Sequence, residues 1–309
     1  MTRRSGPGGL PGADGDGPSG NPAAAVASAG RWRRRAAGAL PWALGGSLLL
    51  LLVLPLLALL GAAPPSALMA AAEDPALQIS LEFTLLASAI SLGIILLLGV
   101  PLGYLLARRN FPGRSVVESA VTLPIVLPHL IAGMALLLLF APDSPVGAVA
   151  LRAGFPVFET IWGVVAVMVF VSAPYTVLSS QIAFQSAGTT VQEVARSLGA
   201  SPAEAFAGVT LPLAARGILA GVVLSWARAV SEIGGFLVIA YTVYPAPPYS
   251  GPVTSPISVY VYNLYQVGDL PGAVAASALL VLVAFAVFVA VRLAARNGSP
   301  LWSRLGANP

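Results

Sequence analysis

Cysteine and lysine are absent from this chain and histidine nearly so, and each absence excludes a chemistry. With no cysteine among 309 residues, disulfide frameworks, thiolate metal sites and cysteine nucleophiles are ruled out. All 16 basic residues are arginine, so the lysine that a Walker A loop uses to hold nucleotide phosphates is missing. The chain cannot hydrolyse ATP through a P-loop of its own. His129 is the one histidine, too few for a multi-histidine metal centre. Charge of either sign is also scarce. Only 9% of residues are charged and 57% are hydrophobic, whereas an ordinary soluble domain carries about 25% charged residues. Stretches such as Leu48 to Leu60 and Ala275 to Val291 hold no charge at all. The solvent is therefore a bilayer, and the chain reads as an all-α polytopic membrane protein of the cell membrane. No nucleic-acid partner is expected from the net charge of +4, because in such a protein the position of basic residues matters more than their total.

Residues 1–39 combine a Gly-, Pro- and Ser-rich segment with the cluster Arg31-Trp32-Arg33-Arg34-Arg35. A disordered cytoplasmic tail is expected there, since little apolar surface offsets the entropy of ordering. The apolar stretch 41–60 exceeds the 7 to 15 residues typical of a signal-peptide core and is read as a retained first helix. Further spans are expected at about 83–106, 119–140, 161–183, 215–243 and 273–293, six in all. With the N-terminus inside, the inner segments hold fourteen arginines, the outer loops only Arg152, and Arg228 lies within a span. Both termini are therefore predicted to be cytoplasmic, with 294–309 a short inner tail.

Pro101, Pro124, Pro128 and Pro174 fall at membrane depth and free backbone groups that neighbouring helices must satisfy. Gly99 and Gly103, and the ladder Gly217, Gly221, Ser225, Ala229, repeat small residues at every fourth position. Close helix packing and a moving pore-side seam both fit this pattern. The outer connection 244–271 begins with Pro245, Pro247 and Pro248. Beyond Ser255-Pro256 it carries Ile257, Tyr260, Val261, Leu264 and Tyr265 at helical spacing, which predicts a short interfacial helix. Its aromatics suit an interfacial anchor, or part of an outer gate or docking surface.

The most informative segment is the inner loop 187–214. It contains Glu193-Val194-Ala195-Arg196-Ser197-Leu198-Gly199-Ala200, then Ser201-Pro202-Ala203-Glu204, a capping box with proline at the first helical position. Two short helices hinged at Gly199 are expected. The spacing of Glu193, Ala195, Gly199, Val209, Leu211 and Pro212 resembles the EAA signature of binding-protein-dependent ABC importer permeases, with Val194 and Val209 replacing an alanine and an isoleucine. The resemblance runs from about Leu81 to Arg292, through Thr84-Leu85-Leu86 and Pro101 to Arg108. It looks nearest to molybdate and tungstate permeases at Leu123-Pro124-Ile125-Val126-Leu127-Pro128-His129, Ala132-Gly133 and Trp226 to Gly234, with sulfate permeases close by.

That resemblance implies the ABC type I importer fold and a division of labour. Glu193, Ala195, Gly199, Ala200, Leu211 and Pro212 would form the loop that fits a groove on a cytoplasmic ABC ATPase dimer. That partner would hold MgATP, and no cofactor belongs to this chain. A second copy of the permease and an extracytoplasmic substrate-binding protein would complete the importer. The chain itself would not be an enzyme. The solute would be molybdate or tungstate, with sulfate or thiosulfate as the alternative. An ion-gradient-driven transporter has less support, because only Glu232 is a deep acid. Arg228 and Glu232 form an opposite-charge pair at i,i+4 inside a span, where an unpaired charge is costly. The pair could fix helix orientation or lie on the translocation path near a gate, with Arg228 the one intramembrane cation to meet an oxyanion. His129 could be a hydrogen-bonded interface residue or a pathway residue. Against an anion stand the outer acids Glu73, Asp74, Asp143, Glu159 and Asp269, faced by Arg152 alone. A binding protein that delivers an enclosed ligand would remove that objection.

Overall fold

The computed structural model describes Met1, Thr2 and residues 22–297. Residues 3–21 of the expected tail, and 298–309, lie outside the described residues. The described chain is helical, and no strand beyond two isolated antiparallel bridges, Val243 with Thr254 and Ala246 with Tyr249, occurs in it. It divides into a unit of residues 1–58 and a unit of residues 59–309.

The first unit is dominated by α1 (Pro22–Ala62). This helix begins well inside the segment expected to lack order. Pro22 suits a first helical position and the alanines that follow are strong helix formers. Its apolar stretch Leu40–Ala62 has 23 residues, about 35 Å at 1.5 Å per residue, enough to cross a hydrocarbon core of about 30 Å.

The second unit runs α2 (Pro65–Glu73), α3 (Pro75–Arg108), α4 (Arg114–Val126), α5 (His129–Phe140), α6 (Pro145–Arg152), α7 (Ile161–Ser186), α8 (Thr190–Ser197), α9 (Pro202–Ala205), α10 (Leu211–Val230), α11 (Phe236–Ile239), α12 (Ile257–Gln266) and α13 (Leu270–Asn297). Its core forms where α3 and α10 pack along α7. Small residues permit the approach. A β-carbon on Gly103 would stand 2.7 Å from Ser180 Cβ, one on Gly217 2.6 Å from Ala183 Cβ, and one on Gly221 2.5 Å from Ser179 Cβ. Hydroxyls close the remaining seam. Ser225 Oγ lies 2.7 Å from Thr176 Oγ1 and donates to the Ser172 carbonyl at 2.8 Å, satisfying polar groups that lipid could not. The ladder from Gly217 is thus a packing seam within the subunit.

Three expectations change. The third span, 119–140, is two helices, α4 and α5, bent by 117° at Leu127-Pro128. Pro128 has no N–H to continue the helix and drives Leu127 to an extended conformation (φ −73°, ψ 133°). The two halves meet α7 at different levels. Glu118 of α4 accepts from Gln181 Nε2 at 2.8 Å, near the inner end of α7. Ala132 and Leu136 of α5 join the core that contains Ile161, Val164 and Val165, and α5 packs on α11, whose Ile239 carbonyl accepts from Glu159 N–H just before α7. Positions 161 and 181 are separated by about 30 Å of helix.

The fifth span does not extend to 243. The α10 helix stops at Val230, because Gly234-Gly235 is a poor helical sequence and Glu232 turns its carboxylate onto the Gly235 N–H at 2.8 Å. In the other direction the helix is longer than expected. The second short helix of the inner loop does not stand alone but runs through a π-turn, Phe206–Thr210, into α10. The interfacial helix α12 does form, one residue later than expected. Pro256 occupies the cap position and Thr84 Oγ1 of α3 accepts from the Ile257 N–H at 2.9 Å.

Candidate functional site

Two places in the second unit carry the candidate residues. The first is the inner loop. Ser201 and Glu204 form the expected capping box, with Ser201 N–H donating to Glu204 Oε2 at 2.8 Å and Glu204 N–H to Ser201 Oγ at 3.3 Å. Ahead of it, α8 closes with Gly199 N–H bonded to the Arg196 carbonyl at 3.0 Å and Ala200 N–H to the Ala195 carbonyl at 3.1 Å. This is a Schellman motif, and it requires the left-handed conformation that glycine adopts without strain. Gly199 has φ +100°. The spacing of Ala195, Gly199 and Ala200 is therefore a backbone requirement of the turn. Glu193 and Arg196 are exposed. So are three apolar residues, Val191, Val194 and Leu198, the last at 84%. Spaced i, i+3 and i+7, they make one apolar stripe on α8.

Leu211 and Pro212 do something different. Pro212 removes an N–H from a helix that runs straight through it, and the strain is taken up where Leu211 N–H bonds the Phe206 carbonyl five residues back. Phe206 in this turn meets Tyr104 of α3 edge-on at 4.9 Å, and Tyr104 meets Phe184 of α7 at 5.1 Å. The loop is anchored on the inner ends of both core helices by this aromatic group. Arg108 also donates to the Gly188 carbonyl where the loop leaves α7.

The second place lies where α10 ends and α5 begins. Arg228 Nη2 donates to Glu232 Oε2 at 2.7 Å and lies 2.9 Å from His129 Nε2, while His129 Nδ1 stands 3.2 Å from the same carboxylate oxygen. Nη2 also lies 3.4 Å from His129 Nδ1, so the guanidinium reaches both ring nitrogens, and the tautomer of His129 decides which of them is the acceptor. Glu232 is fully buried, the Arg228 side chain is 17% exposed and that of His129 48%. The other carboxylate oxygen accepts from Gly235 N–H, and the Glu232 carbonyl accepts from Ser258 Oγ of α12 at 2.5 Å. Gly234 lies against His129, where a β-carbon would come within 2.5 Å of His129 Cβ. A β-carbon on Gly235 would meet Val167 Cγ1 at 2.5 Å. That puts the cluster beside α7 six residues from its outer end, about 9 Å along the helix. His129 is thus at the N-terminus of a helix, at the break of the third span.

Residues 99–298 match the family of binding-protein-dependent transport system inner membrane components. The chain belongs to that family. Among individual relatives of this chain, the molybdate/tungstate transport system permease protein of Thermococcus kodakarensis is 40% identical over 172 residues, 56% of this chain and 64% of that protein. Its counterpart in Pyrococcus furiosus is 35% identical over 71% of this chain and 78% of that protein. The molybdenum transport system permease protein of Mycobacterium tuberculosis is 36% identical, over 70% and 79%. The fold of the chain is that of a solved bacterial ABC transporter involved in the import of the acidic polysaccharide alginate (TM-score 0.61, 19% identity, 87% of this chain and 99% of that one).

Of the candidate residues, the fold brings Arg228, Glu232 and His129 into one cluster, and Glu193, Ala195, Gly199 and Ala200 onto one short helix and its turn. Leu211 and Pro212 sit apart from that turn, behind the π-turn. Sequence reasoning does not single out Ser258, Gly235, Phe206 or Tyr104. Ser258 reaches Glu232 from a helix distant in sequence, and an aromatic contact among three separate helices leaves no spacing to read.

Proposed function

We propose that the chain is the transmembrane permease of an ABC importer for a tetrahedral oxyanion, molybdate or tungstate. The observation that carries the importer reading is α8, a short helix on the arginine-rich side of the membrane that leaves Val191 and Val194 half-exposed and Leu198 almost fully exposed. An unpartnered apolar stripe beside exposed charge is what a docking helix needs. Its partner would be a cytoplasmic ABC ATPase dimer that holds MgATP and draws on the loop as it closes. The apolar faces of α4 and α5, with Val126, Leu130, Ile131 and Leu138 exposed, suit a second copy of the permease, with the path between the two copies and Arg228, His129 and Glu232 beside it.

The names of the relatives support the oxyanion. The outer acids oppose it less than their number suggests. Asp74 accepts from Ala76 N–H and Asp269 from Gly272 N–H, each at 2.9 Å, so both are helix caps. An external binding protein delivering the ligand would bypass the remainder. Proteoliposomes holding this chain with the cassette and binding protein should take up labelled molybdate in an ATP-dependent manner, and the chain alone should take up none. Uptake by the chain alone, or uptake that an uncoupler abolishes and ATP depletion does not, would overturn the reading.

A further inference from the structure

Three features of the Arg228 cluster go beyond an ion pair that merely orients helices. First, the counter-charge cannot leave. Glu232 is fully buried, one carboxylate oxygen is held by Gly235 N–H and the other by Arg228, and its carbonyl is tied to α12 through Ser258. Second, the cation is only partly used. Every contact of Arg228 to Glu232 and His129 goes through Nη2, whereas Nε and Nη1 have no protein partner among the described residues. Third, the helix that starts at His129 has no side-chain cap, so its first N–H groups add positive potential at the same place.

We propose that Glu232 is a fixed counter-anion that sets how tightly a passing oxyanion is held, and that the free Nε and Nη1 donors of Arg228 are what the oxyanion touches. This rests on the permease reading above. The physical argument is one of balance. An unneutralised arginine beside a low-dielectric path would bind a tetrahedral dianion strongly enough to stall it. With Glu232 in place the pair has no net charge, and the anion is met by directional N–H donors alone. His129 is then a positioning residue. With both ring nitrogens within 3.4 Å of Nη2 and Nδ1 3.2 Å from Glu232, its imidazole keeps the guanidinium turned so that the remaining edge is free. Recognition depends on dianionic charge and tetrahedral oxygens, so sulfate, molybdate and tungstate are held alike here and discrimination lies elsewhere.

The test uses the permease assembled with its ATPase in nanodiscs, without binding protein or nucleotide, and tungstate as the probe in titration calorimetry. Glu232→Gln should bind tungstate at least about tenfold more tightly than the wild type, since one full neighbouring charge is removed. The gain should shrink with added salt, and ATP-driven uptake in the complete system should slow. Adding Arg228→Gln should abolish the gain. Glu232→Asp, which keeps the charge but draws it back from Arg228, should give an intermediate gain and serves where the glutamine variant fails to assemble. An assembled Glu232→Gln or Glu232→Asp complex that binds tungstate no more tightly than the wild type overturns the inference. If the wild-type system takes up no tetrahedral oxyanion at all, the permease reading fails instead.

Discussion

At Gly221 a single methyl group separates packing from collision. Its β-carbon would press on both Cβ and Oγ of Ser179, at 2.5 and 2.8 Å, with the Tyr175 carbonyl at 3.0 Å. Gly221→Ala should therefore destabilise the protein by about 1–3 kcal/mol, lowering the midpoint of thermal unfolding in detergent. Gly93→Ala is the control. Nothing lies within 4 Å of its β-carbon, and alanine favours the helix, so that midpoint should not fall. The four-residue repeat of small side chains is visible in the sequence, but which helix it faces is not, because Ser179 and Ala183 are unremarkable residues of α7 until the two helices are side by side. The Arg228 cluster was half readable for the same reason. The i,i+4 spacing suggests the Arg228–Glu232 pair even though Glu232 lies two residues past the end of α10, whereas His129 is 99 residues from Arg228 and only the broken third span delivers it.

At the scale of elements, α8 and its turn should separate docking from transmission. Leu198→Glu puts a charge on the most exposed apolar residue of the stripe and should abolish copurification with the ATPase while leaving the fold intact. Gly199→Ala forces a side chain into φ +100°, a strain of about 1–3 kcal/mol. It should reduce coupled transport more than ATPase binding, read by comparing uptake with pull-down. On the outer side, α12 is tied to Asp74, the residue between α2 and α3, by Tyr260. Burial, then the hydrogen bond and charge of Asp74, push this phenol up to about 12. Because an unfolded tyrosine ionises near 10, the stabilisation is complete below about pH 10 and is lost as pH rises through about 12. An absorbance titration at about 295 nm, wild type minus Tyr260→Phe, should show that late transition. The apolar lengths, the capping box and α12 could all be read from local sequence. The bend in the third span could not, since hydropathy sums apolar residues without regard to the direction of the helix axis, and Pro101 and Pro174 lie in helices that continue through them.

For the whole molecule, the arginine asymmetry predicts which loops face the cytoplasm. The natural absence of cysteine makes this simple to check with single-cysteine variants. In intact cells a membrane-impermeant maleimide should label Ser250→Cys, in the outer hairpin, and spare Ser197→Cys at the end of α8 until the membrane is opened. The reverse pattern would invert the topology. One more consequence follows from the continuity of the helix that begins at the capping box. Pro202 to Val230 is 29 residues, a rod of about 43 Å, with Arg228 near its far tip. Treated as a crank, it amplifies. Rocking its cytoplasmic end by about 5° sweeps the tip through about 4 Å, more than the 2.9 Å contact between Arg228 and His129 of α5. A small turn at the base is thus enough to part the guanidinium from the α5 side of the path.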